Sequence, residues 1–303
     1  MAGITELKNS AESALTSIMS NMKFLFKVLR KNKVSLAGFI IILVFAVMAI
    51  IGPEVIPYDR TINIKNRFLP PSWEHPLGTD YAGRDTLAQI VHGSRDVLLV
   101  AFLTAVFTTI VSFIIGISSG FIGGKFDVAM MTVADIFLVI PSFPLLIIIV
   151  TSLQKVLSAV EIALILSIVG WPALARAIRS QVLSIREKEF IESAVCLGLS
   201  KKHILFGEIL PNLLPYIFMN LILSTVGAIY SQVGLYYIGA LPFTATNWGV
   251  MIQTAISEGA LVNPRAIWYL LSPLICIILI QAGFILFMHS LEEIFNPRLR
   301  TEA

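Results

Sequence analysis

Phe190-Ile191-Glu192-Ser193-Ala194-Val195-Cys196-Leu197-Gly198-Leu199-Ser200-Lys201-Lys202-His203-Ile204-Leu205-Phe206-Gly207-Glu208-Ile209-Leu210-Pro211 is a polar, glycine-punctuated stretch between two long apolar runs. Phe190, Ile191, Ala194, Val195 and Gly198 recur at helical spacing and form one apolar stripe. Glu187, Glu189, Glu192, Ser193 and Cys196 fall off it. Gly198 suits the left-handed residue that closes a helix. Ser200 suits the N-cap of a second helix over Lys201 to Leu210, and Pro211 marks the return to apolar sequence. The expected order is helix, glycine turn, helix, proline. On periodicity alone two readings stand level: a shaped element gripped by something outside the bilayer, or an amphipathic connector resting on headgroups. In the first, Ala194 lets a partner approach closely and Glu192 accepts its hydrogen bonds.

The flanking runs identify the solvent. Of 303 residues, 56% are hydrophobic and 14% charged, where a soluble domain carries about a quarter charged. Hydrocarbon ~30 Å thick takes ~20 helical residues. Six runs qualify: Val34 to Gly52, Val97 to Ser118, Val128 to Leu153, Ala159 to Ala177, Leu213 to Tyr237 and Ile267 to Met288. An all-α, polytopic membrane protein with six spans is expected. Pro141 and Pro144 should kink or break the third. The first run follows a long basic leader and is too long for a signal core, so it reads as a retained anchor.

Lys and Arg set the orientation. They gather in the leader, at Lys125, from Arg176 to Lys202, and at Arg298 and Arg300. On the other side most lie in one long loop, mixed with acids. The positive-inside rule then puts both termini, and the stretch from Glu187 to Pro211, in the cytoplasm. The expected organisation is a cytoplasmic tail (1–33), a first helix (34–52), an external loop (53–96), a five-helix core (97–290) with the cytoplasmic loop 187–211, and a tail (291–303). The net charge of +3 does not argue for nucleic acid.

Chemistry-bearing residues are sparse. Cys196 and Cys276 are too differently placed to pair, and His92 and His203 lack ligand spacing, so no metal site is expected. Gly123-Gly124-Lys125-Phe126 lacks the spacing and hydroxyl of a phosphate loop. Asp135 is an acid within a span, and such groups are candidates for a solute pathway. Pro141 and Pro144 could open carbonyls toward it. Trp248 and Trp268 read as interfacial anchors. Gly78-Thr79-Asp80 and Gly83-Arg84-Asp85 read as turns in which Asp80 and Asp85 cap or pair with Arg84.

Glu192-Ser193-Ala194, Gly198 and Leu210-Pro211 resemble, in order and spacing, the EAA motif of the transmembrane subunits of ATP-binding-cassette importers. Ser193 replaces a usual Ala, and Glu208 stands where an apolar residue is usual. With the two outer tripeptides, Asn247-Trp248-Gly249, Trp171 with Arg176, and Asn296-Pro297-Arg298, the chain resembles the C-type permease subunit of oligopeptide/dipeptide importers. The likeness spans about Arg30 to Arg300. It implies a type I importer fold, an inner-membrane location, and coupling to ATPases through Glu192, Ser193, Ala194 and Gly198. It further implies a homologous permease as heterodimer partner, two cytoplasmic ATPases that hold ATP and magnesium, and an external solute-binding protein. This chain itself would be no enzyme and carry no cofactor. Peptide is the expected solute, with nickel chelates or oligosaccharides as alternatives. An ion-coupled secondary carrier is the alternative of another class.

Overall fold

A computed structural model describes residues 32–242 and 246–295, with side chains described as far as Met288. The basic leader and the Asn296-Pro297-Arg298 tail lie outside the described residues. The helices are α1 (Lys33–Val55), α2 (Thr86–Ile122), α3 (Gly124–Val139), α4 (Ser142–Ser152) and α5 (Ala159–Arg186). There follow α6 (Glu189–Cys196), α7 (Lys201–Tyr237), α8 (Trp248–Ser257) and α9 (Ile267–Phe295). Five of them, α1, α2, α5, α7 and α9, are long and apolar enough to cross a membrane. The sixth span exists only as the pair α3 and α4, bent by 85°. Pro141 caps α4 and Pro144 sits in its first turn, where a missing N–H costs no helical bond.

Between apolar helices in lipid, close packing replaces the hydrophobic drive, and small side chains permit it. Thr108, Ser112, Gly116 and Gly120 recur every fourth residue on α2 and face α5. A Cβ on Gly116 would sit 2.6 Å from the Ala175 carbonyl, and one on Gly120 would sit 2.9 Å from Val182. The Ser112 hydroxyl donates to the Trp171 carbonyl at 2.9 Å. Arg186, at the end of α5, donates to the Gly120 carbonyl at 2.7 Å and so caps α2. A second tight crossing joins α1 to α9, where a Cβ on Gly38 would lie 2.6 Å from the Phe287 amide nitrogen and 2.8 Å from the Gly283 carbonyl.

Three expectations are corrected. The second span begins at Thr86, inside the segment read as an external loop, because Asp85 caps it by accepting from the Ala88 amide at 2.7 Å. Pro211 does not end a helix: residues 201–237 are continuous, with a π turn over Ile204–Ile209 just before the proline. Trp248 is no interfacial anchor. It is fully buried, its indole N–H donates to the Ile90 carbonyl at 3.1 Å, and its ring meets Phe45 edge-on. Trp268 is half exposed.

If the tight crossings hold the bundle, adding one methyl there should cost about 1–3 kcal/mol of strain. Gly116→Ala and Gly38→Ala are expected to lower the thermal midpoint of the detergent-solubilised protein. Gly227→Ala, with nothing within 4 Å of its would-be Cβ, should leave it unchanged or raised.

Candidate functional site

The stretch that opened the sequence reading closes one end of the bundle. Glu189 and Glu192 lie in the first turn of α6, where their charge complements the helix dipole. Ile191 and Ala194 point inward, each 5% exposed, into a cluster with Ile117, Ile178, Val182, Ile204, Ile209 and Leu213. The helix ends in a Schellman motif: Gly198 N–H bonds the Val195 carbonyl at 2.9 Å and Leu199 N–H the Ala194 carbonyl at 3.1 Å. Gly198 has φ +73° and nothing within 4 Å of a would-be Cβ, so glycine is required there by backbone conformation and not by space.

The expected stripe divides. Ile191 and Ala194 are buried, but Phe190 and Val195 are exposed. Ala194 is therefore not a surface for a partner: its small size lets α6 lie against its own bundle. Glu192 and Ser193 are on the exposed side, and the Ser193 hydroxyl donates back to the Glu189 carbonyl at 2.9 Å. Val195 (58% exposed), Leu197 (78%) and Phe206 (63%) form an apolar edge on this exposed face.

The π turn explains how Glu208 is tolerated. A regular helix places residue i+4 on the same face as i, which would turn Glu208 inward after Ile204. The extra residue of a π turn shifts the register by one. Ile204, Ile209 and Leu213 are then the buried set, and Glu208 falls to the half-buried flank. Ser200 caps this helix as expected, accepting from the His203 amide at 3.2 Å.

The three residues expected along a solute pathway do not come together. Asp135 is ion-paired with Arg176 on α5, and two turns earlier on α3 Asp127 holds Arg179 in a two-pronged pair. These four line a recess of about 350 Å³ between α3 and α5. Pro141 and Pro144 lie outside it, exposed at the α3–α4 bend.

At the opposite end the two tripeptides build one turn. Asp80 is fully buried and accepts from the Ala82 and Arg84 amides, from Arg84 Nε, each at 2.8 Å, and from Gln89 Nε2 at 3.0 Å. A Cβ on Gly83 would lie 1.9 Å from the Asn63 carbonyl. His75 Nδ1 meets Asp85 at 2.8 Å, and His92 Nε2 meets the Ile56 carbonyl at 2.8 Å. Among the described residues no cluster of three His, Cys, Asp or Glu side chains could hold a metal ion. What sequence reading missed was the four-residue ladder from Thr108 to Gly120, legible as small residues at fixed spacing, and the burial of Trp248, which carries no local signal.

Residues 112–301 match the family model of the binding-protein-dependent transport system inner membrane component. Residues 21–71 match the N-terminal transmembrane domain of oligopeptide transport permease C. The chain is 33% identical to the oligopeptide transport system permease protein OppC of Bacillus subtilis, over 89% of this chain and 88% of that one. It is 34% identical to the dipeptide transport system permease protein DppC of Alkalihalophilus pseudofirmus, over 91% and 90%. The OppC protein of Mycobacterium bovis is 29% identical over 95% and 98%.

The register assigned to the π turn has a direct check. Ile209→Ala should cost about 2–4 kcal/mol as a buried truncation, while Glu208→Ala should stay within about 0.5 kcal/mol. Thermal unfolding of both in the same detergent measures the difference; equal losses would contradict the register.

Proposed function

The chain belongs to the family of binding-protein-dependent transport system inner membrane components, and on that premise we propose that it is a pore-forming subunit of an ATP-driven importer of di- and oligopeptides. The α6 end lies in the cytoplasm, where Lys125, Arg186, Lys188, Lys201 and Lys202 join the basic leader. Two partner ATPases, which carry the ATP and magnesium, grip one such helix on each of two homologous permeases. An external binding protein delivers the solute at the other end. Closure of the ATPases drives the bundles as rigid bodies between inward-open and outward-open states.

One observation carries this reading: α6 is anchored by its inner face and presents an unpaired apolar edge, Val195, Leu197 and Phe206, next to Glu192. A connector lying free on headgroups would lack the docking of Ile191 and Ala194 into the bundle. The names of the similar proteins support peptide as the solute. Asp135, the acid the sequence offered within a span, is tied to Arg176.

Because Ala194 is buried, substitution there would disturb the fold and not the coupling alone. The informative changes are on the exposed edge. Val195→Asp combined with Leu197→Asp should leave the thermal midpoint nearly unchanged, since surface changes stay within about 0.5 kcal/mol. In proteoliposomes with the ATPases and binding protein, the double variant should lose most ATP-driven peptide uptake and most bound ATPase. Normal uptake and normal ATPase retention would remove α6 as the coupling element.

A further inference from the structure

The end of the bundle opposite α6 contains a cavity of about 430 Å³, within the size range of small-ligand sites. Four separate segments wall it: the loop after α1, the Gly78–Asp85 turn with the start of α2, the first turns of α8, and α9. Its charged lining residues are Arg60 and Arg84, and among the described residues no carboxylate lines it. Arg84 directs Nε and one Nη to the buried Asp80, each at 2.8 Å. That fixes the guanidinium plane and leaves the other Nη without a partner among the described residues. The same guanidinium stacks 5.1 Å from the centre of the Tyr81 ring, and Arg60 stacks 5.8 Å from that of Tyr58. Arg84 is thus held in place before any ligand arrives, and Arg60 lies at the exposed mouth of the cavity. Arg60 forms no ion pair with a described acid.

A second observation is independent of the arginines. Asn247 lines the cavity and is the N-cap of α8, its Oδ1 accepting from the Gly249 amide at 2.9 Å. The residue is 1% exposed, yet its Nδ2 has no hydrogen-bond partner. A buried amide donor left unmade is costly, and an acceptor that reaches it from the cavity wall relieves that cost. The first turn of α8 adds its partial positive charge at the same wall. Burial holds the Tyr58 phenol above its ordinary pKa, so at neutral pH it is a neutral donor. Arg60, an Arg84 whose charge Asp80 already balances but whose second Nη is open, a buried amide donor, a helix N-terminus and a phenol describe a site for a small anion bearing planar oxygens.

We propose that this cavity receives the C-terminal carboxylate of a short peptide, held between Arg60, Arg84 and Asn247. The proposal rests on the peptide-importer reading and adds to it a recognition site on the permease itself, at the mouth where solute arrives. A charge-assisted carboxylate bond is worth about 1.5–3 kcal/mol, or about tenfold or more in affinity.

The test uses the complete transporter in lipid nanodiscs without its external binding protein. Equilibrium binding of labelled trialanine is compared with that of trialanine C-terminal amide. The acid should bind saturably and the amide about tenfold more weakly. Arg60→Gln should weaken the acid by a similar factor and leave the amide unaffected. Asn247→Asp keeps the capping oxygen and exchanges the donor for a negative charge, so it should abolish acid binding while thermal unfolding stays that of the wild type. Equal binding of acid and amide, no binding of either, or undiminished acid binding by both variants overturns the site. ATP-driven trialanine uptake by the wild-type assembly is measured in parallel. Uptake without carboxylate-dependent binding removes this site alone, whereas absence of uptake with carboxylate binding intact removes the importer reading and keeps the site.

Discussion

The structure depends on how closely α2 and α5 can lie. In hydrocarbon two helices gain nothing from hiding apolar surface from lipid, so contact must come from fit. The ladder of Thr108, Ser112, Gly116 and Gly120 supplies it: the Ala175 carbonyl and the side chains of Ile178 and Val182 occupy the space that Cβ atoms on Gly116 and Gly120 would fill. The Ser112 bond to the Trp171 carbonyl and the Arg186 cap on Gly120 then set the register of the pair. Every other element is placed against it. Cluster residues of both helices, with those of α7, form the socket into which α6 inserts Ile191 and Ala194.

That dependence decides how a force on α6 would travel. Withdrawing Ile191 from its socket would forfeit about 1.5–3 kcal/mol of burial, beyond the contacts of Ala194. A short helix held on that scale moves with its bundle and does not slide over it. The Lys188 amide, bonded to the Ile185 carbonyl of α5 at 3.1 Å, and the Schellman closure at Gly198 ahead of the helix from Lys201 to Tyr237 tie the two ends of α6 to spans. The π turn belongs to the same device. It rotates the apolar set of α7 by one residue so that Ile209 fills the socket, and Glu208, which a regular helix would bury, lies to the side.

Much of this was legible in the sequence because local chemistry determined it. Gly198 and Ser200 announced a helix end and a helix start, and the structure has both. Pro141 and Pro144 announced a break, and the third span bends there by 85°. Asp80 and Arg84 announced a turn. The failures share one cause, which is that a non-local contact overrode a local rule. Trp248 has the setting of an interfacial residue, but the Ile90 carbonyl and the Phe45 ring receive it in the core. Ala194 was read as a contact for another protein because no periodicity tells which side of a short amphipathic helix meets its own bundle. Proline at 211 suggests a stop until the π turn before it is seen.

The two ends of the bundle differ in the kind of recognition they can perform. The α6 end offers exposed apolar side chains beside a carboxylate, and a partner surface could cover Val195, Leu197 and Phe206. The opposite end is concave and polar, and its Arg84 is already stacked and braced, so that little order of that side chain remains to be lost on binding. A protein-sized partner suits the first and a small charged solute the second. Between them runs the tightly packed pair of α2 and α5, which touches the socket at one end and, through Gln89 and its bonds to Asp80 and Tyr269, the wall of the polar cavity at the other. A displacement of α6 that carries this pair therefore carries one wall of the cavity with it, because α2 is a single helix from Thr86 to Ile122 and belongs to both.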